Sequence, residues 1–156
     1  MKIKLEYLSQ QFPQALKVGV ADGAKINWNF LDERTDVQVL DFFHASEYVS
    51  RAAEILFSDS KRLQKECENG ASELLDELKE RVQAVSGKKE QEKLTAVITY
   101  FENNLKRMAY KSITDLDLPI GSGVTEAAAK TIIKQRLCLS GMRWLHQGVE
   151  TILALR

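Results

Sequence analysis

Leu16-Lys17-Val18-Gly19-Val20-Ala21-Asp22-Gly23 and Val37-Gln38-Val39-Leu40-Asp41 decide how this chain folds. Each is a short apolar run rich in β-branched residues that ends on an aspartate, the composition of a buried strand closed by a turn or a cap. Between them, Lys25 to Arg34 carries Trp28, Phe30 and Leu31 and has room only for a short helix. Strand, short crossover, strand implies a small parallel pair. In that arrangement Asp22 and Asp41 both emerge at the carboxyl ends of adjacent strands, the edge on which open α/β sheets build their sites.

Working outward, Lys2 to Phe12 reads as a short helix with Ile3, Leu5, Leu8 and Phe12 as its apolar residues, stopped by Pro13. On the other side the pattern turns helical at Ala45 and stays so. Ala45, Tyr48, Val49, Ala52, Ile55 and Leu56 recur at helical spacing, Asn69-Gly70 breaks the chain, and Leu74, Leu75, Leu78, Val82 and Val85 form a second stripe closed by Ser86-Gly87. Leu94, Val97, Ile98, Phe101, Leu105 and Met108 form a third. Such stripes are mutual core, because neighbouring helices need them to pack. Tyr110 to Pro119 reads as a loop, Ser122 as the N-cap of a helix over about 124–137, and Ser140-Gly141 as a break before a last helix from about Arg143 to Leu155. The expected class is α/β, mainly α, with two core strands.

The bulk properties narrow the field. The chain has 156 residues, 44% of them hydrophobic and 28% charged, which suits a folded globular chain and not a disordered one. No apolar run approaches the roughly 18 residues of a membrane span, and the start lacks the apolar core of a signal peptide, so a cytoplasmic protein with no membrane partner is expected. Cys67 and Cys138 have no ligand partners at zinc spacing and read as idle thiols. The zero net charge hides a basic tail: from Asn103 onward there are eight Lys/Arg against four acids.

Three carboxylates stand out for chemistry: Asp22, Asp41 (three residues before His44), and Glu126 in the first turns of its helix. Singly, each suits a turn or a cap. Together they suit a hard divalent cation, since Mg²⁺ takes carboxylate oxygens and phosphate-cutting sites gather acids from distant points of a chain. Lys130 and Lys134 follow Glu126 at i+4 and i+8, drifting by about 40° per step on a regular α-helix. They are either an intrahelical Glu–Lys pairing or a surface for DNA phosphate. Neither a nucleophile elbow nor a nucleotide-binding glycine loop is present.

In order along the chain, Ala21-Asp22-Gly23-Ala24 with Trp28, Leu40-Asp41-Phe42-Phe43-His44-Ala45-Ser46-Glu47, and Tyr100-Phe101-Glu102-Asn103-Asn104 with Arg107-Met108-Ala109-Tyr110 resemble the ISKra-type insertion-sequence transposases. So do Leu118-Pro119-Ile120-Gly121-Ser122-Gly123-Val124-Thr125-Glu126-Ala127-Ala128, Lys130, Lys134-Gln135-Arg136, Ser140-Gly141-Met142-Arg143-Trp144 and the ending Ile152-Leu153-Ala154-Leu155-Arg156. The resemblance implies a DDE transposase related to the Mutator-like families, with a ribonuclease-H-like core interrupted by a helical insertion. Residues 1–44 would be a partial core, 45–118 the insertion and 119–156 the C-terminal core helices. It implies Mg²⁺ (or Mn²⁺) held by acids for DNA strand cleavage and transfer, with Asp22 as second acid and Glu126 as third. Asp41 and His44 would form the Asp-x-x-His motif that supports the site or contacts DNA; a rival assignment makes Asp41 the second acid and Asp22 the first. Lys130, Lys134, Arg136 and Arg143 would contact DNA.

The family's first acid lies on an upstream strand, so the chain is expected to be a C-terminal portion, catalytically incomplete by itself. No sequence signal brings Asp32, Glu33 or Asp36 in as a substitute acid. Ala129 stands where the family carries a cysteine. Transposon-end DNA and a second copy or the full-length transposase are the expected partners. Two strands are marginal in water, so the apolar edge is expected to be paired between copies or covered by helices.

Overall fold

A computed structural model describes residues 2–154, with side chains described at 6–123 and 126–153. The side chains of Ile3, Leu5, Val124 and Thr125, and the terminal Leu155-Arg156, lie outside the described residues. The chain divides into two compact units, Met1–Gly121 and Ser122–Arg156.

In the first unit, α1 (Lys2–Gln11) precedes β1 (Val18–Ala21), α2 (Lys25–Leu31) and β2 (Val37–Leu40). The strands pair in parallel, Val18 opposite Val37 and Ala21 opposite Leu40. β1 alternates, with Gly19 and Ala21 buried and Val18 and Val20 half-buried, whereas β2 buries its last two residues, Val39 and Leu40. Asp36 starts the ladder, its carboxylate accepting the Lys17 N–H at 2.8 Å.

Four longer helices follow in this unit: α3 (Phe42–Leu56), α4 (Ser60–Asn69), α5 (Ala71–Val82) and α6 (Lys88–Asn104), continued by a 3-10 turn, Leu105–Arg107. α3 packs on α4, α4 on α5, α5 on α6, and α6 returns to α3. The stripes read from the sequence are the core: Val49, Leu74, Leu78, Leu94 and Phe101 are all buried. Each such side chain contributes about 1.5–3 kcal/mol. The helical cluster therefore carries the stability of a unit whose two-strand sheet is too small to stand alone.

α3 begins at Phe42, three residues ahead of the apolar stripe that starts at Ala45, because the Asp41 carboxylate caps it. Two local readings need correction. The helical stretch to Asn69 is broken at Phe57, whose backbone is left-handed (φ 49°, ψ 43°), and Asp59 caps a separate α4 through the N–H groups of Lys61 and Arg62. Part of Tyr110 to Pro119 is helix α7 (Tyr110–Thr114) and not loop: Tyr110 and Ile113 are buried one turn apart, and burial organises a segment too short to show a period.

In the second unit, α8 (Gly123–Ala128), a π-helical stretch (Ala129–Lys134) and α9 (Gln135–Leu137) run on continuously, and α10 (His146–Ala154) follows. The carbonyl of Ser122 accepts the Glu126 N–H at 3.0 Å, the opening bond of the helix. The π winding lets the Gln135 N–H reach the Lys130 carbonyl, five residues back. The regular drift assumed for Glu126, Lys130 and Lys134 therefore does not carry through. The apolar edge of the first unit leaves Phe12 62% and Leu16 50% exposed. Among the described residues no helix is long and apolar enough to cross a membrane.

Candidate functional site

The parallel register sets the geometry of the site. Ala21 and Leu40 are partners at the ends of β1 and β2, and the Asp41 N–H donates to the Ala21 carbonyl at 2.8 Å. Asp22 and Asp41 thus leave neighbouring strands side by side, at a strand spacing of about 4.8 Å.

The two acids then diverge in role. Asp41 is only 4% exposed, and its Oδ1 accepts the N–H groups of Phe43 at 2.8 Å and His44 at 3.3 Å. That bonding makes it the N-cap of α3. Asp22 is exposed. Its Oδ1 accepts from Ala24 N at 3.1 Å and Asn27 Nδ2 at 2.7 Å, leaving Oδ2 without a hydrogen bond among the described residues. Asp22 therefore has an oriented carboxylate with one oxygen turned to other uses, the property a hard-cation ligand needs.

Aromatic groups wall this edge. The Tyr100 hydroxyl donates to the main-chain carbonyl of Asp22 at 3.0 Å, and its ring stacks on Tyr48 at 3.8 Å and 5°. His44 packs edge-on to both, at 5.8 Å from Tyr48 and 6.5 Å from Tyr100, with Glu47 4.0 Å from its Nδ1. Arg51 lies over the other side of Tyr48 at 4.9 Å. Burial, and then Tyr48 and the charges of Asp22, Asp41 and Glu47, push the Tyr100 phenol well above its ordinary range, so it stays a donor at neutral pH. Gly23 has φ +89°, and a Cβ there would come within 2.8 Å of the Tyr100 hydroxyl, so the turn after β1 needs glycine twice over. Gly121 lies against the Phe43 ring, where a Cβ would approach to 2.6 Å, and the Ile120 carbonyl accepts the Phe42 N–H at 2.8 Å. The Ile120-Gly121 segment is thereby fastened to the start of α3.

The substitute acids lie elsewhere. Asp36 binds Lys17 at the amino ends of the strands, and Asp32 accepts Gln38 Nε2 at 2.7 Å beyond the end of α2. Glu33 is exposed.

In the second unit, Glu126 is exposed and its Oε1 accepts the Ser122 hydroxyl at 2.8 Å. Lys130, Lys134 and Arg143 are exposed and Arg136 is half-buried. Among the described residues, no three His, Cys, Asp or Glu side chains gather as a metal-holding group. Cys67 is buried and Cys138 exposed, neither in a disulfide.

Three contributors to this edge have no role in the sequence reading. Asn27 orients Asp22, Tyr48 sits inside an apolar stripe, and Tyr100 belongs to the motif Tyr100-Phe101-Glu102-Asn103-Asn104 without an assigned task. Their common signal is a polar tip on a residue that a core stripe does not require. No family model matches the chain, and the comparisons with curated proteins and with solved structures likewise found no match.

Proposed function

We propose that the chain is part of the catalytic core of an ISKra-type DDE transposase, on a ribonuclease-H-like fold, and that it supplies Asp22 and Glu126 as carboxylate ligands of Mg²⁺ or Mn²⁺. The observation that carries the proposal is the register of the strand pair, which sets an acid just past the end of each parallel strand at the edge where such sheets build sites. Asp22, exposed and with Oδ2 unengaged, suits a metal ligand that keeps several waters. Asp41, only 4% exposed and capping α3 through Oδ1, suits the supporting role. When bound, the cation would supply Lewis-acid polarisation of a phosphodiester and a more acidic water. The residues of the chain would do the rest: Asp22 and Glu126 bind the ion, and Lys130, Lys134, Arg136 and Arg143 hold transposon-end DNA by its phosphates. Self-association with a second copy, or association with full-length transposase, belongs to the same proposal.

Titration with Mn²⁺ and a cleavage assay on supercoiled DNA test it. Binding that is weakened by Asp22→Asn and by Glu126→Gln supports the two acids as ligands; binding indifferent to both substitutions overturns the proposal. Sedimentation velocity showing a monomer alone and with transposase removes the association.

A second reading is a non-enzymatic helical protein that binds DNA or associates with transposase. It draws on the exposed Lys130, Lys134 and Arg143 of the second unit, which can meet phosphate without a metal. Electrophoretic shifts at rising salt separate its two forms, because phosphate contacts weaken steeply with salt and apolar protein contacts do not.

A further inference from the structure

We propose that Tyr100 is a positioning residue for the Asp22 carboxylate, linking α6 to the loop that presents it; the proposal rests on the assignment of Asp22 as a metal ligand. Two sets of bonds hold this loop. On the side-chain face, Asn27 Nδ2 and Ala24 N hold Oδ1 at 2.7 and 3.1 Å. On the main-chain face, the only support among the described residues beyond the strand ladder and the start of α2 is the Tyr100 hydroxyl on the Asp22 carbonyl at 3.0 Å.

Tyr100 is itself constrained. Its ring is stacked on Tyr48, which is flanked by His44 and Arg51, and its hydroxyl occupies the space that the missing Cβ of Gly23 leaves open. The next turn of α6 is tied down by Asn104, which accepts the Trp28 indole N–H at 3.2 Å. A helix from a distant part of the chain thereby fixes both ends of the segment from Asp22 to Trp28. Removing the hydroxyl frees the carbonyl of Asp22 and, with it, the direction of Oδ2. Partners of this kind are worth on the order of 10–100-fold in metal affinity.

The test uses the full chain with Mn²⁺ as the probe, in wild type, Tyr100→Phe, Tyr48→Phe and Asp22→Asn, with amide exchange measured at Ala24 in the absence of metal. Tyr100→Phe keeps the ring and its stack, so the fold survives. The expected result is a Kd weakened about tenfold in Tyr100→Phe and little altered in Tyr48→Phe, with several-fold faster exchange at Ala24 and unchanged exchange at Leu94 in the core. Wild-type exchange at Ala24 together with wild-type affinity in Tyr100→Phe overturns the positioning role. Faster exchange at Ala24, combined with Mn²⁺ binding that is undetectable in wild type or indifferent to Asp22→Asn, overturns the ligand assignment and leaves Tyr100 as the anchor of the loop.

Discussion

The indole N–H of Trp28 donates to Oδ1 of Asn104 at 3.2 Å, joining positions 76 residues apart inside the core. Asn104 is 4% exposed and returns its own Nδ2 to the Tyr100 carbonyl at 2.9 Å. One turn on, the Arg107 guanidinium lies 4.3 Å over the Trp28 ring and its Nε donates to Gln38 Oε1 at 2.7 Å. The end of α6 therefore grips the crossover helix and the second strand together, which compensates for a sheet of only two strands.

Replacing Asn104 with Leu strands the buried indole N–H and is expected to cost about 1–3 kcal/mol. Urea unfolding checks it. Trp28→Phe in the same background removes the orphaned donor, so the double variant is expected to lose less than the sum of the two single losses.

The capping role of Asp41 and the exposed role of Asp22 predict opposite sensitivities. Asp41→Ala is expected to destabilise by about 1 kcal/mol through loss of the α3 cap. Asp22→Asn, on the surface, is expected to stay within about 0.5 kcal/mol while abolishing Mn²⁺ binding. A Mn²⁺ affinity lost in both Asp41→Asn and Asp22→Asn would favour the rival assignment, in which both are acids of the triad, and one kept in Asp22→Asn would remove Asp22 as a ligand.

Acid stability has a named contributor. The Arg62 guanidinium, 3.0 Å from Glu77 Oε1, and then Arg81 at 2.9 Å, hold the Glu77 carboxyl below its ordinary range. A folded-state pKa depressed in this way gives stability that is complete above the unfolded value of about 4.3 and is lost as pH falls through the lower folded value. The stability of the wild type is thus expected to decline below about pH 4–5, with a shallower decline in Glu77→Gln, measured by urea midpoints across pH 3–6.

The two thiols should separate by reactivity. Burial raises the Cys67 pKa to about 12, whereas Cys138 is exposed. Alkylation at pH 8 is expected to modify Cys138 alone in the folded protein and both thiols after unfolding, because only the thiolate reacts. Mass spectrometry of the native protein reads this directly; rapid labelling of Cys67 would show that α4 opens.

The strands were legible because Val18 to Ala21 and Val37 to Leu40 combine β-branching with a terminal aspartate, and a crossover as short as Lys25 to Arg34 leaves parallel pairing as the simple solution. The helical stripes were legible for the same reason: burial imposes a period. What escaped notice lacks a period. The turn at Phe57 has no glycine to mark it, Tyr110–Thr114 is too short, and the π winding of Ala129–Lys134 follows from no single residue. At the site, sequence order suggested that Asp22 and Asp41 would lie together, but only the fold separates a buried carboxylate that caps a helix from one exposed to solvent. The task of Tyr100 was hidden because a half-buried aromatic in a helix reads as packing until its hydroxyl is seen to reach a distant carbonyl.

Phe57 is 97% exposed and left-handed, with its N–H on the carbonyls of Ala53 and Glu54. Neither its ring nor its backbone gains from the position: a β-carbon in that region costs about 1–2 kcal/mol, and a bare phenyl group invites clumping in concentrated solution. Glycine there would relieve both at once, so the corner between α3 and α4 offers engineers a more robust and more soluble protein with every residue of the candidate site untouched.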